Sequence, residues 1–188
     1  MSNRLPILFL PGDTYANRMP DPVLQQVEHF NNPGITQNDA FKSVTRYFDR
    51  ITRPEQILQT LPQAIQVLLD PADCGPACIS LSQDIQGETY EYPEEFFIER
   101  VHNIRRPKPD DFQVKQAVEK IKNSKNPIII SGGGVFYSNA MEELSSFAIK
   151  HNIPVTQTVM GYSSMKRDHS HFLGPIGGLG GKAANNLA

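Results

Sequence analysis

The sequence predicts an α/β fold built as two incomplete parallel-sheet lobes, and three observations support this class. Short, mostly apolar runs at Leu5–Leu10, Ala77–Leu81 and Ile128–Ile130 are typical of strands buried on both faces of a parallel sheet. Segments with helical periodicity separate these runs. Both ends look cut through domains, because a buried strand begins almost at Met1 and Ala183 opens a helix too short to be stable alone.

The first lobe is expected to span residues 1–86. Leu5–Leu10 should form its first strand, with both faces buried. The segment 14–53 is polar and has few periodic positions, so we expect it to be mostly irregular, with one short helix over Val23–Val27. A long loop of this kind inside a compact domain is more often functional than accidental.

The clearest helix of this half covers Thr52–Leu69, where apolar residues recur at helical spacing. Thr52 and Glu55 have the spacing of a capping box, and Pro62 should bend the axis. The strand Ala77–Leu81 follows, and Asp84 comes soon after its carboxyl end. Open parallel sheets place ligands at that edge, although we favour a structural role for Asp84.

Residues 87–109 have the composition of a linker, and the second lobe should span residues 110–188. Acidic and aromatic residues alternate in the linker, so we expect it to lie along a surface. A new helical period begins at Val114 and continues through Ile121. The glycine-rich stretch Leu173–Gly181 is expected to be a loop.

The second lobe contains a βαβ pattern, which predicts parallel strands. The strand Ile128–Ile130 is followed by a glycine turn and then by a helix, which Asn139 and Glu142 should begin as a capping box. Asn152 suits the left-handed conformation that ends a helix. The second strand begins at Ile153.

Gly132, Gly133 and Gly134 form the turn between that strand and helix, which is a usual place to hold a phosphate. A dinucleotide fingerprint would require a glycine where Tyr137 stands and an acidic residue after the next strand, which this chain lacks. Two interpretations remain open. The glycines only make the turn, or they line a pocket for an adenine nucleotide or flavin, such as ADP or FAD.

Composition excludes several functional classes. The chain has 188 residues, a net charge of −2 and no cluster of basic residues, which argues against a nucleic-acid partner. We predict no membrane span and a cytoplasmic location. The Cys74–Cys78 spacing lacks a second ligand pair, and the pair His169 and His171 lacks further ligands nearby, so we predict no metal site on this chain.

Four segments together resemble thiamine-diphosphate-dependent enzymes such as acetolactate synthase. Asn38–Lys42 resembles their D-A-F-Q-E loop, and Gly75–Ile85 resembles the segment that closes their pyrimidine-binding domain. Pro127–Thr158 and Gly174–Ala188 resemble the opening half of their Rossmann-like central domain. The resemblance implies that residues 1–86 are the C-terminal half of a pyrimidine-binding domain and that residues 110–188 are the N-terminal half of a central domain.

Three further segments resemble one branch of this family, whose members open a cyclic diketone ring in inositol catabolism. These segments are Leu10–Tyr15, Asp21–Gln26 and Tyr47–Gln56. The implied activity is a C–C hydrolysis that uses thiamine diphosphate as an electron sink, with Mg²⁺ holding the diphosphate. The implied substrate is a cyclic dione.

The resemblance implies site residues only in part. Phe41 and Lys42 match positions that line the substrate channel in the synthases, although the family's glutamine is Lys42 here. The family's catalytic glutamate and its metal-binding motif have no counterpart in this sequence, so we assign no catalytic residue. We therefore expect an internal fragment that is inactive alone, binds no cofactor tightly and associates as a dimer or higher oligomer.

Overall fold

The structure is a computed structural model that describes residues 3–17, 29 and 31–188. It divides into two compact units, Met1–Ile104 and Arg105–Ala188. Each unit contains a parallel sheet with helices, so the predicted α/β class is confirmed. The predicted short helix at Val23–Val27 lies outside the described residues, and the domain limits 1–86, 87–109 and 110–188 stay a prediction.

The sheet of the first unit is organised around one central strand. It consists of β1 (Leu8–Phe9), β2 (Gly12–Asp13), β3 (Tyr47–Ile51) and β4 (Ala77–Ser82). All the pairings with β4 are parallel, and β3 pairs with β4 over Ala77–Leu81. Because β3 occupies one edge of β4, β1 and β2 must follow each other along the other edge.

The core of this unit lies between the sheet and α1 (Ile57–Leu68). Its fully buried members are Ile51, Ala64, Ala77 and Ile79. The predicted helix and the predicted central strand are therefore confirmed. The predicted cap is wrong, because Gln56 Oε1 accepts the backbone N–H groups of Thr52 and Arg53 at 2.6 and 3.1 Å.

The segment Leu5–Leu10 is not buried on both faces as predicted. Five of its apolar side chains are 37–51% exposed, and only Leu8–Phe9 has strand geometry. Among the residues that the structure describes, the run pairs only with β4, which leaves it on an edge of the sheet. An apolar run shows that a strand can be buried, but its place in the sheet decides how much of it is covered.

The prediction of an irregular segment over residues 14–53 is wrong at its C-terminal end. A 3₁₀ helix covers Gln37–Ser43 and the strand β3 covers Tyr47–Ile51. In the linker, Tyr92 contacts the rings of Tyr90, Phe96 and Phe97, so this segment is locally ordered.

The second unit contains a three-stranded parallel sheet in the order β5 (Ile129–Ser131), β6 (Val155–Gln157) and β7 (Phe172–Pro175). Its helices are α2 (Asp111–Asn123), α3 (Gly134–Tyr137), α4 (Met141–His151) and α5 (Lys182–Leu187). The buried core residues are Ala148, Val155 and Met165, and the partly buried Ile129, Leu144 and Phe172 pack against them. The predicted parallel strands and helices are confirmed.

Local details of the second unit differ from the prediction. Asn139 has a φ of +56° and does not cap α4, whose first flanking residue is Ala140. β7 is a strand where a loop was predicted, and Ile130 is 51% exposed instead of doubly buried. Asn152 ends α4 in the left-handed conformation, as predicted.

Candidate functional site

A group of polar side chains lies at the carboxyl ends of the strands of the first unit. Asp13 is the last residue of β2, Arg50 lies near the end of β3, and Ser80 lies in the second half of β4. The three strands are parallel, so these ends share one edge of the sheet, where ligands usually bind in open α/β sheets. We call this group, with Thr36, Asn38, Asp39, Phe41 and Lys42, the strand-end cluster.

Arg50 connects the parts of the strand-end cluster. Its Nε donates to Asp13 Oδ2 at 2.7 Å, and its Nη2 donates to Asp39 Oδ2 at 2.6 Å and to Thr36 Oγ1 at 2.8 Å. Its side chain is 20% exposed. A planar guanidinium can bind two carboxylates at once, whereas a single ammonium group lacks this fixed fork. Arg50 therefore links the buried strand end to the preceding loop.

Asp13 is the buried anion of this cluster, with a side chain 1% exposed. Ser80 Oγ donates a short hydrogen bond to Asp13 Oδ2, and the Thr14 N–H donates to Oδ1 at 2.8 Å. Burial acts to raise the pKa of Asp13, but the hydrogen bonds from Ser80, Arg50, Thr36 and Thr14 outweigh it and lower the pKa. The carboxylate is therefore charged and fully bonded near neutral pH.

Asn38 attaches the 3₁₀ helix Gln37–Ser43 to the sheet. Its Nδ2 donates to Gly12 O and to Ser80 Oγ, both at 2.8 Å. Asn38 is 3% exposed, so these two bonds satisfy an amide that would otherwise be costly to bury. The helix begins with a true capping box, in which Thr36 Oγ1 accepts the Asn38 N–H and Asp39 Oδ2 accepts the Thr36 N–H at 2.7 Å.

The 3₁₀ helix carries both of the predicted substrate-channel residues. Lys42 Nζ lies 2.5 Å from Asp39 Oδ1 and 5.1 Å from the ring centroid of Phe48, and its side chain is 55% exposed. The Phe41 ring meets the ring of Phe9 edge-on, with centroids 4.8 Å apart. Phe41 thus forms an apolar contact with Phe9, and Lys42 is an accessible cation.

The sequence interpretation named Phe41 and Lys42, whose role in a substrate channel stays a prediction, and gave no site role to Asp13, Asn38 or Arg50. The available signal was that Asp13 comes soon after the apolar run Leu5–Leu10, where a strand end is expected. No local pattern marks Arg50, because its partners lie 37 and 11 residues away.

Asp84 has a structural role within the first unit. Its carboxylate accepts the N–H groups of Ala16 at 2.9 Å and Asn17 at 3.1 Å. Burial acts to raise the pKa of Asp84, but these backbone hydrogen bonds outweigh it and lower the pKa. The residue ties the loop after β2 to the end of β4.

The glycine turn of the second unit lies at the carboxyl end of β5 and is partly covered by chain. A Cβ atom on Gly161 would lie 2.2 Å from Ser131 O and 3.1 Å from Gly132 Cα, so the turn that contains Gly161 packs directly on this segment. Space is open beside Gly134. The assignment of Gly132, Gly133 and Gly134 to a nucleotide stays a prediction.

The described residues contain no group of three or more His, Cys, Asp or Glu side chains that could hold a metal ion. In the loop with His169 and His171, His171 Nε2 lies 3.0 Å from Asn152 Oδ1, which is a bond within the unit. Cys74 and Cys78 are both buried and free. None of the helices in the described part of the chain is long and apolar enough to cross a membrane.

Comparison with known proteins first relates part of the chain to a class of enzyme domains. Residues 114–188 match the family model of the thiamine pyrophosphate enzyme central domain. A crystal structure of a Mycobacterium smegmatis protein described as a thiamin diphosphate-dependent enzyme superposes with a TM-score of 0.63. It shares 22% identity, and the match covers 93% of this chain and 32% of that one, so this likeness supports the fold alone.

Particular relatives share much more of the sequence. The 3D-(3,5/4)-trihydroxycyclohexane-1,2-dione hydrolase of Clostridium perfringens is 52% identical over 186 residues, which is 99% of this chain and 29% of the relative. The hydrolase of that name from Bacillus subtilis is 47% identical over 188 residues, which is all of this chain and 30% of the relative. The chain therefore spans about 30% of the length of these relatives, and the resemblance to thiamine-diphosphate enzymes is confirmed.

Proposed function

We propose that this chain is a segment of a thiamine-diphosphate-dependent C–C hydrolase that opens the ring of trihydroxycyclohexane-1,2-dione in inositol catabolism, in the cytoplasm. The observation that carries the proposal is identity near 50% along the whole chain to hydrolases of that name. An acetolactate synthase-like activity is the alternative within the same enzyme class. Lys42 counts against that alternative, because it stands where the synthases have glutamine.

In this proposal Lys42 and Phe41 of the strand-end cluster bind the substrate. Lys42 offers an exposed ammonium with three donors, of which Asp39 takes one. The remaining donors suit the hydroxyl and carbonyl oxygens of a cyclic dione, and they favour negative charge that develops on a ring oxygen. Phe41 provides an apolar wall beside the ring. Both residues act by binding and orienting the substrate.

The described residues do not fit the magnesium diphosphate of the cofactor. Asp13 and Asp39, the carboxylates of the strand-end cluster, are already bonded to Arg50, and the described chain has no metal-binding group of acidic residues. A hard cation such as Mg²⁺ requires free oxygen ligands. Thiamine diphosphate and Mg²⁺ therefore belong to the proposed whole enzyme, and we derive no step that this chain performs on them.

The proposal is tested by assaying the natural polypeptide that contains these residues. We expect ring opening of trihydroxycyclohexane-1,2-dione that depends on added thiamine diphosphate and Mg²⁺. Activity that is indifferent to thiamine diphosphate would contradict the proposal. Condensation of 2-oxo acids without ring opening would favour the synthase-like alternative. The 188-residue chain alone should show no turnover and no calorimetric binding of thiamine diphosphate with Mg²⁺. Micromolar binding would show that the chain builds a cofactor site from residues other than those described above.

A second candidate function is ADP or FAD binding at Gly132–Gly134. It is supported by Gln157 Oε1, an acceptor at the end of the neighbouring strand β6 that is buried without a hydrogen-bond partner in the described chain. An amino or hydroxyl group of a nucleotide could donate to it. The purified chain should then show flavin absorbance or bind ADP in calorimetry. If it shows neither, the glycines only make the turn.

The partner that we propose for the first unit is a second copy of the chain. The support is the exposed apolar edge at Leu5–Leu10, since exposed strand edges and apolar patches promote association. Light scattering should therefore give the mass of a dimer or higher oligomer. A monomeric mass over a range of concentrations would contradict this.

A further inference from the structure

The position of the Lys42 ammonium is set by a carboxylate that is itself held on both oxygens. Asp39 Oδ1 contacts Lys42 Nζ at 2.5 Å, while Asp39 Oδ2 accepts from the Thr36 N–H at 2.7 Å and from Arg50 Nη2 at 2.6 Å. Arg50 is in turn anchored to Asp13, whose side chain is 1% exposed. A chain of ion pairs thus runs from the buried strand end to an exposed amine.

The local helix type explains the alignment of the last pair. Asp39 and Lys42 are three residues apart on a 3₁₀ helix, where residues i and i+3 lie directly above each other. An α-helix would offset these side chains around the axis. A surface ion pair usually contributes little because two flexible side chains must be ordered. Here one of them, Asp39, is already fixed by other contacts, so only Lys42 remains to be ordered.

We propose that Asp39 is a positioning residue that orders the Lys42 ammonium for an oxygen-rich substrate, and that Arg50 fixes Asp39 for this purpose. The inference rests on the proposed function, in which Lys42 binds the substrate. Asp39 does not touch the substrate itself. It restricts Lys42 to one arrangement before binding, so that the cost of ordering a long side chain is met in the free enzyme.

The test is a double-mutant cycle on the natural polypeptide that contains the chain, with the cyclic dione as substrate. Lys42→Met should raise KM. Asp39→Asn should raise KM between about twofold and about tenfold, the range expected for losing the order of one long side chain, with little change in kcat. In the Lys42→Met background, Asp39→Asn should change KM no further, because there is no ammonium left to position.

Two further variants separate positioning from general stability. Arg50→Lys keeps the charge but cannot bridge Asp13 and Asp39 together, so it should raise KM only when Lys42 is present. Arg46→Lys is the matched control, because Arg46 pairs with Asp73 at the other end of the β3 region, and it should leave KM unchanged. If Asp39→Asn does not fold, the Arg50→Lys cycle alone decides the result.

A spectroscopic measurement on the 188-residue chain gives a readout that is independent of activity. The Lys42 side-chain ammonium should show restricted motion by NMR in the natural sequence and free motion in Asp39→Asn. Equal motion in both, or additive KM effects in the cycle, would overturn the positioning role while leaving Lys42 as a substrate ligand. An unchanged KM in Lys42→Met would instead overturn the proposed role of Lys42 itself, and the positioning role with it.

Discussion

Arg50→Met should destabilise the first unit much more than the equivalent change at Arg46. Arg50 neutralises Asp13, whose side chain is 1% exposed, whereas Arg46 pairs with Asp73, whose side chain is 65% exposed. Removing one partner of a buried ion pair leaves an uncompensated charge and costs about 3–5 kcal/mol, while an exposed pair contributes about 0–1 kcal/mol. Because Arg50 is itself 20% exposed, we expect a value near the lower end, about 3 kcal/mol.

Urea unfolding at pH 7, followed by resonances of the first unit, measures this difference. With a slope of about 1–3 kcal/mol per molar urea, a loss of about 3 kcal/mol moves the midpoint by at least about 1 M. Arg46→Met, with a nearly unchanged midpoint, is the control. The cost of Arg50→Met should shrink at acid pH, because protonation of Asp13 removes the unpaired charge. Equal costs for the two variants would refute the buried-pair reasoning.

Three further predictions concern pH, a close backbone contact and a helix end. The folded-state pKa values of Asp13 and Asp39 lie below their ordinary value of 3.8, so their contribution to stability is complete above about pH 4 and is lost as the pH falls further. Asp39→Asn should therefore reduce the fall in the free energy of unfolding at acid pH, measured by unfolding experiments over a series of pH values. Gly161→Ala should destabilise the second unit by about 1–3 kcal/mol in urea, because its Cβ would meet backbone at 2.2 Å, whereas Gly134→Ala, with open space around it, should be neutral or stabilising. Asn152→Ala should be less stable than Asn152→Gly by about 1–2 kcal/mol in thermal or urea unfolding, because the φ of +51° there favours glycine; equal stabilities would contradict this.

The elements that the sequence predicted well are those whose pattern lies within a short stretch of neighbouring residues. The strand at Ala77–Leu81 is an apolar run between turn residues, and it is the buried centre of the first sheet. Asn152 follows a helical stripe and a basic last turn, and it ends α4 as predicted. In both cases the pattern that folds the segment lies within the segment itself.

The strand β3 was missed because it carries charges that only distant residues satisfy. Asp49 and Arg50 interrupt its apolar pattern, so it does not resemble a buried strand. In the structure, Thr60 Oγ1 from α1 donates to Asp49 Oδ2 at 2.5 Å, and Arg50 bonds to Asp13. Charged groups can be placed in a half-buried strand when such partners are present, and sequence pattern alone does not reveal them.

The sequence by itself determined the α/β class, the main helices and central strands, and the resemblance to thiamine-diphosphate enzymes, since periodicity and motifs are local properties of a chain. It also drew attention to Phe41 and Lys42. Only the tertiary structure decided that Leu5–Leu10 is an exposed edge and that Arg50 gathers two carboxylates into the strand-end cluster. Burial and ion pairing depend on which residues meet across the fold, and strands that are distant in sequence meet only when the sheet forms.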